Sequence, residues 1–188
     1  MQLGWAGDTL ERTMLGPTLE TDRLLLRPPE IADFDAWCEM MADEETSRFV
    51  GGVLPRATVF RVMATMTGHW ALLGFGMFSV IEKSSGRWIG RLGPWNPEGW
   101  PGKEVGWGLS RHAWGKGYAA EGATAAIDWA FDHLGWTEVI HCVDPRNANS
   151  IALARRLGSA RRGTGTLPPP FGTEIDIYGQ SREDWRGR

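Results

Sequence analysis

Apolar and polar positions alternate in short stretches along this chain, and longer stretches of helical period lie between them. Residues 18–27, TLETDRLLLR, alternate and then run apolar before Pro28 and Pro29, which predicts one strand ended by the prolines. Phe34, Trp37, Met40 and Met41 recur at helical spacing up to about Ala42, with Asp33 placed to cap that helix. A second helix is predicted from Ala57 to about Leu73, stopped by Gly74. Strands are then expected at 76–82, GMFSVIE, and 87–93, RWIGRLG, around a hairpin-sized turn, Lys83-Ser84-Ser85-Gly86.

The next strand, 103–110, KEVGWGLS, is interrupted by Gly106 and Gly108, which point to a bulge or to another backbone passing close. Tyr118 to His133 reads as a helix, EVIHCV at 138–143 as a buried strand, and Asn147 to Leu157 as a helix stopped by Gly158. A last strand, Glu174 to Gly179, follows the loop of Pro168, Pro169 and Pro170. This order predicts one mixed α+β layer structure over residues 17–188, with its chemistry near the centre and residues 1–16 as an N-terminal arm.

Composition narrows the function. With 188 residues, 42% of them hydrophobic, the chain can bury one sizeable core. A formal charge of −3 supplies no field for a polyanion, so nucleic acid is not an expected partner. The charge is unevenly placed: residues 1–50 hold eleven Asp and Glu against four Lys and Arg, which leaves the remainder at +4. The two cysteines, Cys38 and Cys142, each sit in an apolar run and fit buried thiols of a reducing, cytoplasmic setting. No window approaches the roughly 18 uncharged apolar residues of a membrane span, so no membrane role is expected. The four histidines show no ligand spacing, and no metal is expected.

The chemistry concentrates in 104–122, EVGWGLSRHAWGKGYAAEG. A glycine-interrupted strand, a Gly-Lys-Gly turn and a helix start form a geometry that suits pyrophosphate: free N–H groups converge, the helix dipole adds partial positive charge, and the glycines keep Cβ atoms out of the way. Neither a Walker-type loop nor a dinucleotide-binding glycine triplet is present. The second element is 144–158, DPRNANSIALARRLG, where a helix opens with Asn147 and Ser150 on one side.

WGKGYAAEG followed by Asn-x-x-Ser and a helix ending in Leu-Gly resembles the RimJ/RimL-type branch of the GNAT superfamily, and TLETDRLLLRPPEIADFDAW is similar to that branch's opening. The resemblance covers about Leu19 to Ser181. It implies a mostly antiparallel central sheet, flanked by helices on both faces and splayed between the 103–110 and 139–143 strands, with acetyl-CoA entering the splay as cosubstrate. The pantetheine arm would then lie along Trp107, Leu109 and Arg111, and the pyrophosphate on Gly115, Lys116, Gly117, Tyr118 and Ala119 after Trp114. Asn147 would hold the pantetheine amides. Ser150 would donate a proton to the leaving thiolate, and Arg155 or Arg156 would meet the nucleotide phosphates.

Glu104 matches the Glu that precedes Gly on the family's strand and is the candidate general base, and a backbone N–H near Leu109 would meet the acyl oxyanion. Trp95 and Trp100 are candidate substrate-pocket residues. Asp43-Glu44-Glu45 could draw a cationic acceptor, and Arg161-Arg162 could steer the cofactor. The chain departs from the superfamily in three places: Trp114 stands for the signature's opening Gln or Arg, as is usual for this branch, Ala154 stands where a tyrosine often acts as acid, and Ser159, read as a packing change, stands where an aromatic usually follows the last glycine. The implied reaction is acetyl transfer to a primary amine, of a protein N terminus or a small molecule, by direct attack. A non-catalytic acyl-CoA-binding module and an acyl-CoA hydrolase are the rivals, and monomer and homodimer both stay open.

Overall fold

The computed structural model describes residues 15–169 and 171–188, so most of the predicted N-terminal arm lies outside the described residues. The stretch read as one strand is folded on itself. Strand β1 (Leu19–Glu20) pairs antiparallel with β2 (Leu24–Arg27), because Thr21 closes the turn. Its N–H donates to the Leu24 carbonyl (3.0 Å), and its hydroxyl oxygen accepts from the Leu24 N–H (3.0 Å). Just before it, the backbone at Gly16 lies against Trp70, whose ring an added Cβ would meet at 2.3 Å.

Asp33 does not cap the following helix through its side chain, as the sequence suggested. It ends a 3-10 turn (Ile31–Asp33) before α1 (Phe34–Ala42). Its buried carboxylate takes both terminal nitrogens of Arg27 (2.7 and 2.9 Å), the Ser79 hydroxyl (2.6 Å) and the Glu30 N–H (2.9 Å). A buried polar hub with every oxygen engaged ties the chain's opening to the sheet.

A short helix that the sequence reading omitted, α2 (Glu44–Ser47), is followed by α3 (Arg56–Leu73). Strands β3 (Phe78–Glu82), β4 (Arg87–Trp95) and β5 (Glu104–Leu109) form a meander. Helix α4 (Tyr118–His133), β6 (Glu138–Val143) and α5 (Ala148–Arg156) come next, then β7 (Ala160–Thr166), β8 (Glu174–Ser181) and α6 (Arg182–Arg186). The polar strand β7 and helix α6 were not foreseen. β4 also runs two residues past the expected end and includes Trp95.

One mixed, mostly antiparallel sheet of order β1-β2-β3-β4-β5-β6-β8-β7 results, with β5 and β6 its parallel pair. Helix α4 packs on one face over Leu24, Phe78, Ile89, Leu92 and Val105. Helices α1 and α3 cover the other, where Trp37, Met41, Met63 and Met66 meet Met77, Trp88 and Trp95. Of the two readings of the β5 glycines, a bulge or a close backbone, the register shift lies between β3 and β4, beside Gly90, and the close approach is at Gly108. Gly90 has φ of 151°, and a Cβ there would meet the Gly108 carbonyl at 2.5 Å, so β4 and β5 approach too closely for a side chain. Among the described residues, no helix is long and apolar enough to cross a membrane.

Candidate active site

Strands β5 and β6 share one paired position, Glu104 with Ile140, and then part. The Ile140 N–H reaches the Lys103 carbonyl (2.9 Å), but beyond it side chains replace the ladder. The His141 ring donates from Nδ1 to the Val105 carbonyl (2.7 Å), and the Cys142 N–H donates to Glu104 Oε1 (3.0 Å). Burial pushes the His141 imidazole down to about 4, so it is neutral at ordinary pH. Its Nε2 therefore accepts from the Ser159 hydroxyl (3.0 Å), whose oxygen in turn accepts from Gln180 Nε2 (3.0 Å). Ser159 is thus a link in a buried polar chain that props the strands apart, not the packing change the sequence suggested.

Because strand backbone groups alternate sides, residues 105, 107 and 109 present theirs to the β6 side. The Val105 carbonyl bonds His141, whereas at an even position the Ser110 N–H bonds the Ile89 carbonyl on β4. Past the single paired position, Trp107 and the Leu109 N–H consequently face the cleft. The Leu109 carbonyl is taken by Trp114 Nε1 (2.7 Å), and Trp107 Nε1 donates to Ser150 Oγ (3.2 Å).

Glu104 is not the solvated strand-edge group that glutamates usually are; it is 6% exposed. Oε1 takes Cys142 N–H, and Oε2 takes Trp100 Nε1 (2.6 Å). Burial, outweighing these bonds and the nearby Arg91 charge, pushes its carboxyl up to about 7. It lines a cavity of about 540 Å³ together with Trp95, Trp100, Met77, Arg91 and Ser150. The two tryptophans expected there are present in different roles. Trp95 stacks on His69 (4.6 Å between ring centroids), whereas Trp100 holds the glutamate and meets Phe171 edge-on.

The glycine turn lies at the start of α4. Gly115 and Gly117 have φ of 73° and 81°, values that side chains disfavour. The N–H groups of Tyr118 and Ala119 open the helix and have no carbonyl a turn back to bond. The sequence did not foretell the latch that holds this turn. Arg23 donates to the Lys116 carbonyl (2.9 Å), pairs with Glu121 (2.6 Å) and lies over the Tyr118 ring (4.6 Å). Tyr118 itself points inward and donates its hydroxyl to Glu82 (2.5 Å), so only its backbone can serve a ligand at the turn.

Asn147 caps α5, its side-chain oxygen accepting from the Ser150 N–H (3.1 Å), which leaves its amide nitrogen for a ligand. Ala154 is fully buried beside Val143 and Tyr178, so α5 offers Ser150, one turn earlier, as its hydroxyl at the cleft. Two expected charge patches are already engaged. Asp43 caps α2 through the Thr46 N–H and, with Glu45, pairs with Arg111. Arg161 and Arg162 pair with Asp176 and Glu138. Arg155 and Arg156 are exposed on the last turn of α5.

In sequence and overall fold the chain is similar to known proteins. Residues 23–160 match the family model described as Acetyltransferase (GNAT) domain. An uncharacterized N-acetyltransferase, p20, of Bacillus licheniformis is 33% identical over 166 residues, which cover 86% of this chain and 93% of that protein. The crystal structure of an acetyltransferase from Agrobacterium tumefaciens superposes with a TM-score of 0.77 at 35% identity, covering 88% of this chain and 95% of that one. A GNAT-family acetyltransferase from Bacillus anthracis shares the fold with a TM-score of 0.74 at 23% identity, over 89% and 99% of the two chains. The chain therefore belongs to the GNAT family of acetyltransferases and is an N-acetyltransferase.

Proposed function

We propose that this enzyme transfers an acetyl group from acetyl-CoA to a primary amine by direct attack within a ternary complex, with Glu104 as general base and Ser150 as proton donor. The observation that carries the reading is the buried Glu104 carboxyl, held by two hydrogen bonds in a cavity that opens on the parted strands. The motif WGKGYAAEG with Asn147 and Ser150 supports placement in the RimJ/RimL-type branch. The cofactor fits the residues present: Trp107 and the Leu109 N–H offer unpaired backbone, and the 115–119 turn offers an anion cradle. Bound there, acetyl-CoA would supply an acyl carbon activated as a thioester.

The residues then divide the work. Glu104, with a carboxyl near 7, is matched to taking the ammonium proton at neutral pH. The nitrogen forms its bond to the acyl carbon as the carbon–sulfur bond breaks, and the second proton it sheds replaces the one that Ser150 gives to the sulfur. The Leu109 N–H meets charge developing on the acyl oxygen. Ser150, already accepting from Trp107, keeps its own hydrogen for the departing sulfur. A covalent acyl-enzyme is disfavoured on two counts. Burial and the neighbouring Glu104 push the Cys142 thiol far up, which leaves little thiolate. Ser150 receives its one side-chain hydrogen bond among the described residues from an indole N–H, not from a base. The two free thiols also suit a reducing, cytoplasmic setting.

The test is thermal unfolding with acetyl-CoA, CoA, ATP and NAD in turn, since a ligand that binds only the folded state raises its stability by about 2.7 kcal/mol at a hundred times Kd. A rise confined to the CoA species is expected. A rise with ATP or NAD and none with CoA would overturn the reading.

A further inference from the structure

Arg91 occupies a place where a cation is expensive. Along β4, Arg91 and Trp95 share the sheet face covered by α1 and α3, and their partners across the pair, Gly108 and Glu104, share it too. Arg91 is 8% exposed. Its guanidinium makes one hydrogen bond among the described residues, from Nη1 to the thioether sulfur of Met77 (2.9 Å), a weak acceptor. Its Nε is buried with no partner. Glu104 attracts it from a distance but gives its own oxygens to Trp100 and Cys142. Burial pulls the guanidinium down to about 10, which keeps it charged at neutral pH. A buried cation without an anionic partner in contact is costly, and such groups are usually paired.

The surroundings show what could pair with it. Arg91 lines the same cavity as Glu104, and the residue directly opposite it on β5 is Gly108, which presents no side chain. Much of the remaining wall is apolar: Met41, Val62, Met66, Met77 and Trp95. Arg48 and Arg146 also line the pocket, but both are exposed and Arg146 is paired with Asp144, so beside Glu104 the pocket offers one buried planar cation with unused donors, and a greasy wall. A guanidinium fork matches a carboxylate's two oxygens, whereas a polyamine would bring a second cation against it.

We infer that Arg91 binds the carboxylate of the acetyl acceptor, so that the acceptor is a small amine carrying a carboxylate on an apolar body, an amino-acid-like molecule. This rests on the reading of the Glu104 cavity as the acceptor site. Arg91 is a specificity residue in this assignment, and Glu104 remains the group that meets the amine.

The experiment uses the full chain and follows thiol release from acetyl-CoA. The acceptors are phenylalanine, leucine and methionine, their amides, their decarboxylated amines, spermidine, and a short peptide with a free N terminus. Binding of acetyl-CoA is measured separately on each protein. We expect kcat/KM for at least one amino acid to exceed that for its amide and its decarboxylated amine by about a hundredfold or more, because a site built to bond a group rejects analogues that lack it. In Arg91→Met that preference is lost, mainly through KM, while acetyl-CoA binding is retained. In Arg91→Lys part of the preference remains.

Equal or better turnover of acceptors without a carboxylate would overturn the inference, as would an Arg91→Met protein that folds and keeps the preference. If Arg91→Met fails to fold, the wild-type comparison decides alone. Failure of the underlying reading looks different: no acetyl-CoA binding, or no thiol release with any amine, and either result would take this inference with it.

Discussion

Replacing Glu104 by glutamine changes one proton and almost no volume, yet three quantities should move. The wild-type carboxyl sits near 7 in the folded protein because burial disfavours its charge, against an ordinary value of 4.5. With its folded value raised, the group holds its proton between those two values while the unfolded chain has lost it. Its contribution to stability is complete below about pH 4.5 and is withdrawn as pH rises to 7 and beyond. At 1.36 kcal/mol per unit, the withdrawal amounts to about 3 kcal/mol. Urea unfolding at pH 4 and pH 8 should therefore show wild type losing about that much relative to Glu104→Gln.

The variant carries a fixed cost of its own. Glutamine offers one oxygen where Cys142 N–H and Trp100 Nε1–H both donate, so one donor is orphaned at about 1–3 kcal/mol at both pH values. The difference between the two pH values cancels this term. Activity should fall by about 10²- to 10⁴-fold, the usual share of a general base. The limb in kcat near pH 7 should vanish, while acetyl-CoA binding stays intact. Unchanged kcat with an unchanged limb would refute the assignment of Glu104, and parallel stability curves would refute its raised carboxyl.

Other perturbations probe the scaffold. Gly117→Val forces a branched side chain into φ of 81°. It should cost at least about 1–2 kcal/mol of stability and weaken acetyl-CoA binding by calorimetry more than tenfold, since the turn is the proposed phosphate cradle. Asp33→Ala strips the buried partner from Arg27 and Ser79. Urea unfolding should show a loss of about 3–5 kcal/mol, whereas Asp35→Ala, which removes an exposed pair with Arg56, should leave the midpoint where it was. His141→Phe keeps the ring but deletes the props to Val105 and Ser159. It should lower acetyl-CoA affinity by altering the parting of β5 and β6, and a variant that binds acetyl-CoA as wild type does would remove His141 from that role.

Local chemistry made some of this legible in the sequence and hid the rest. The glycine turn with its helix, and Asn147 and Ser150 on α5, are contiguous motifs whose spacing expresses their geometry. Glu104 was visible as a candidate, but its burial was not, because that depends on Trp100 folding back and on β6 arriving alongside. Arg91 gave no signal, being one arginine in a short alternating strand. The Thr18–Arg27 stretch read as one strand because an apolar run does not reveal a turn that lacks glycine or proline and is closed by one threonine hydroxyl. Strand β7, ARRGTGT, has no apolar face, and it pairs at the edge through backbone bonds and the Arg161–Asp176 contact. The His141–Ser159–Gln180 chain joins three distant segments, which no periodicity could connect.

The most direct test of the central claim is thiol release from acetyl-CoA by the purified full chain, with and without a primary amine. The account predicts release that depends on the amine and matches the N-acetyl product mole for mole, with no acetylated protein before the amine is added. Thiol released without amine, or an acetyl group left on the protein, would contradict direct transfer through the Glu104 cavity.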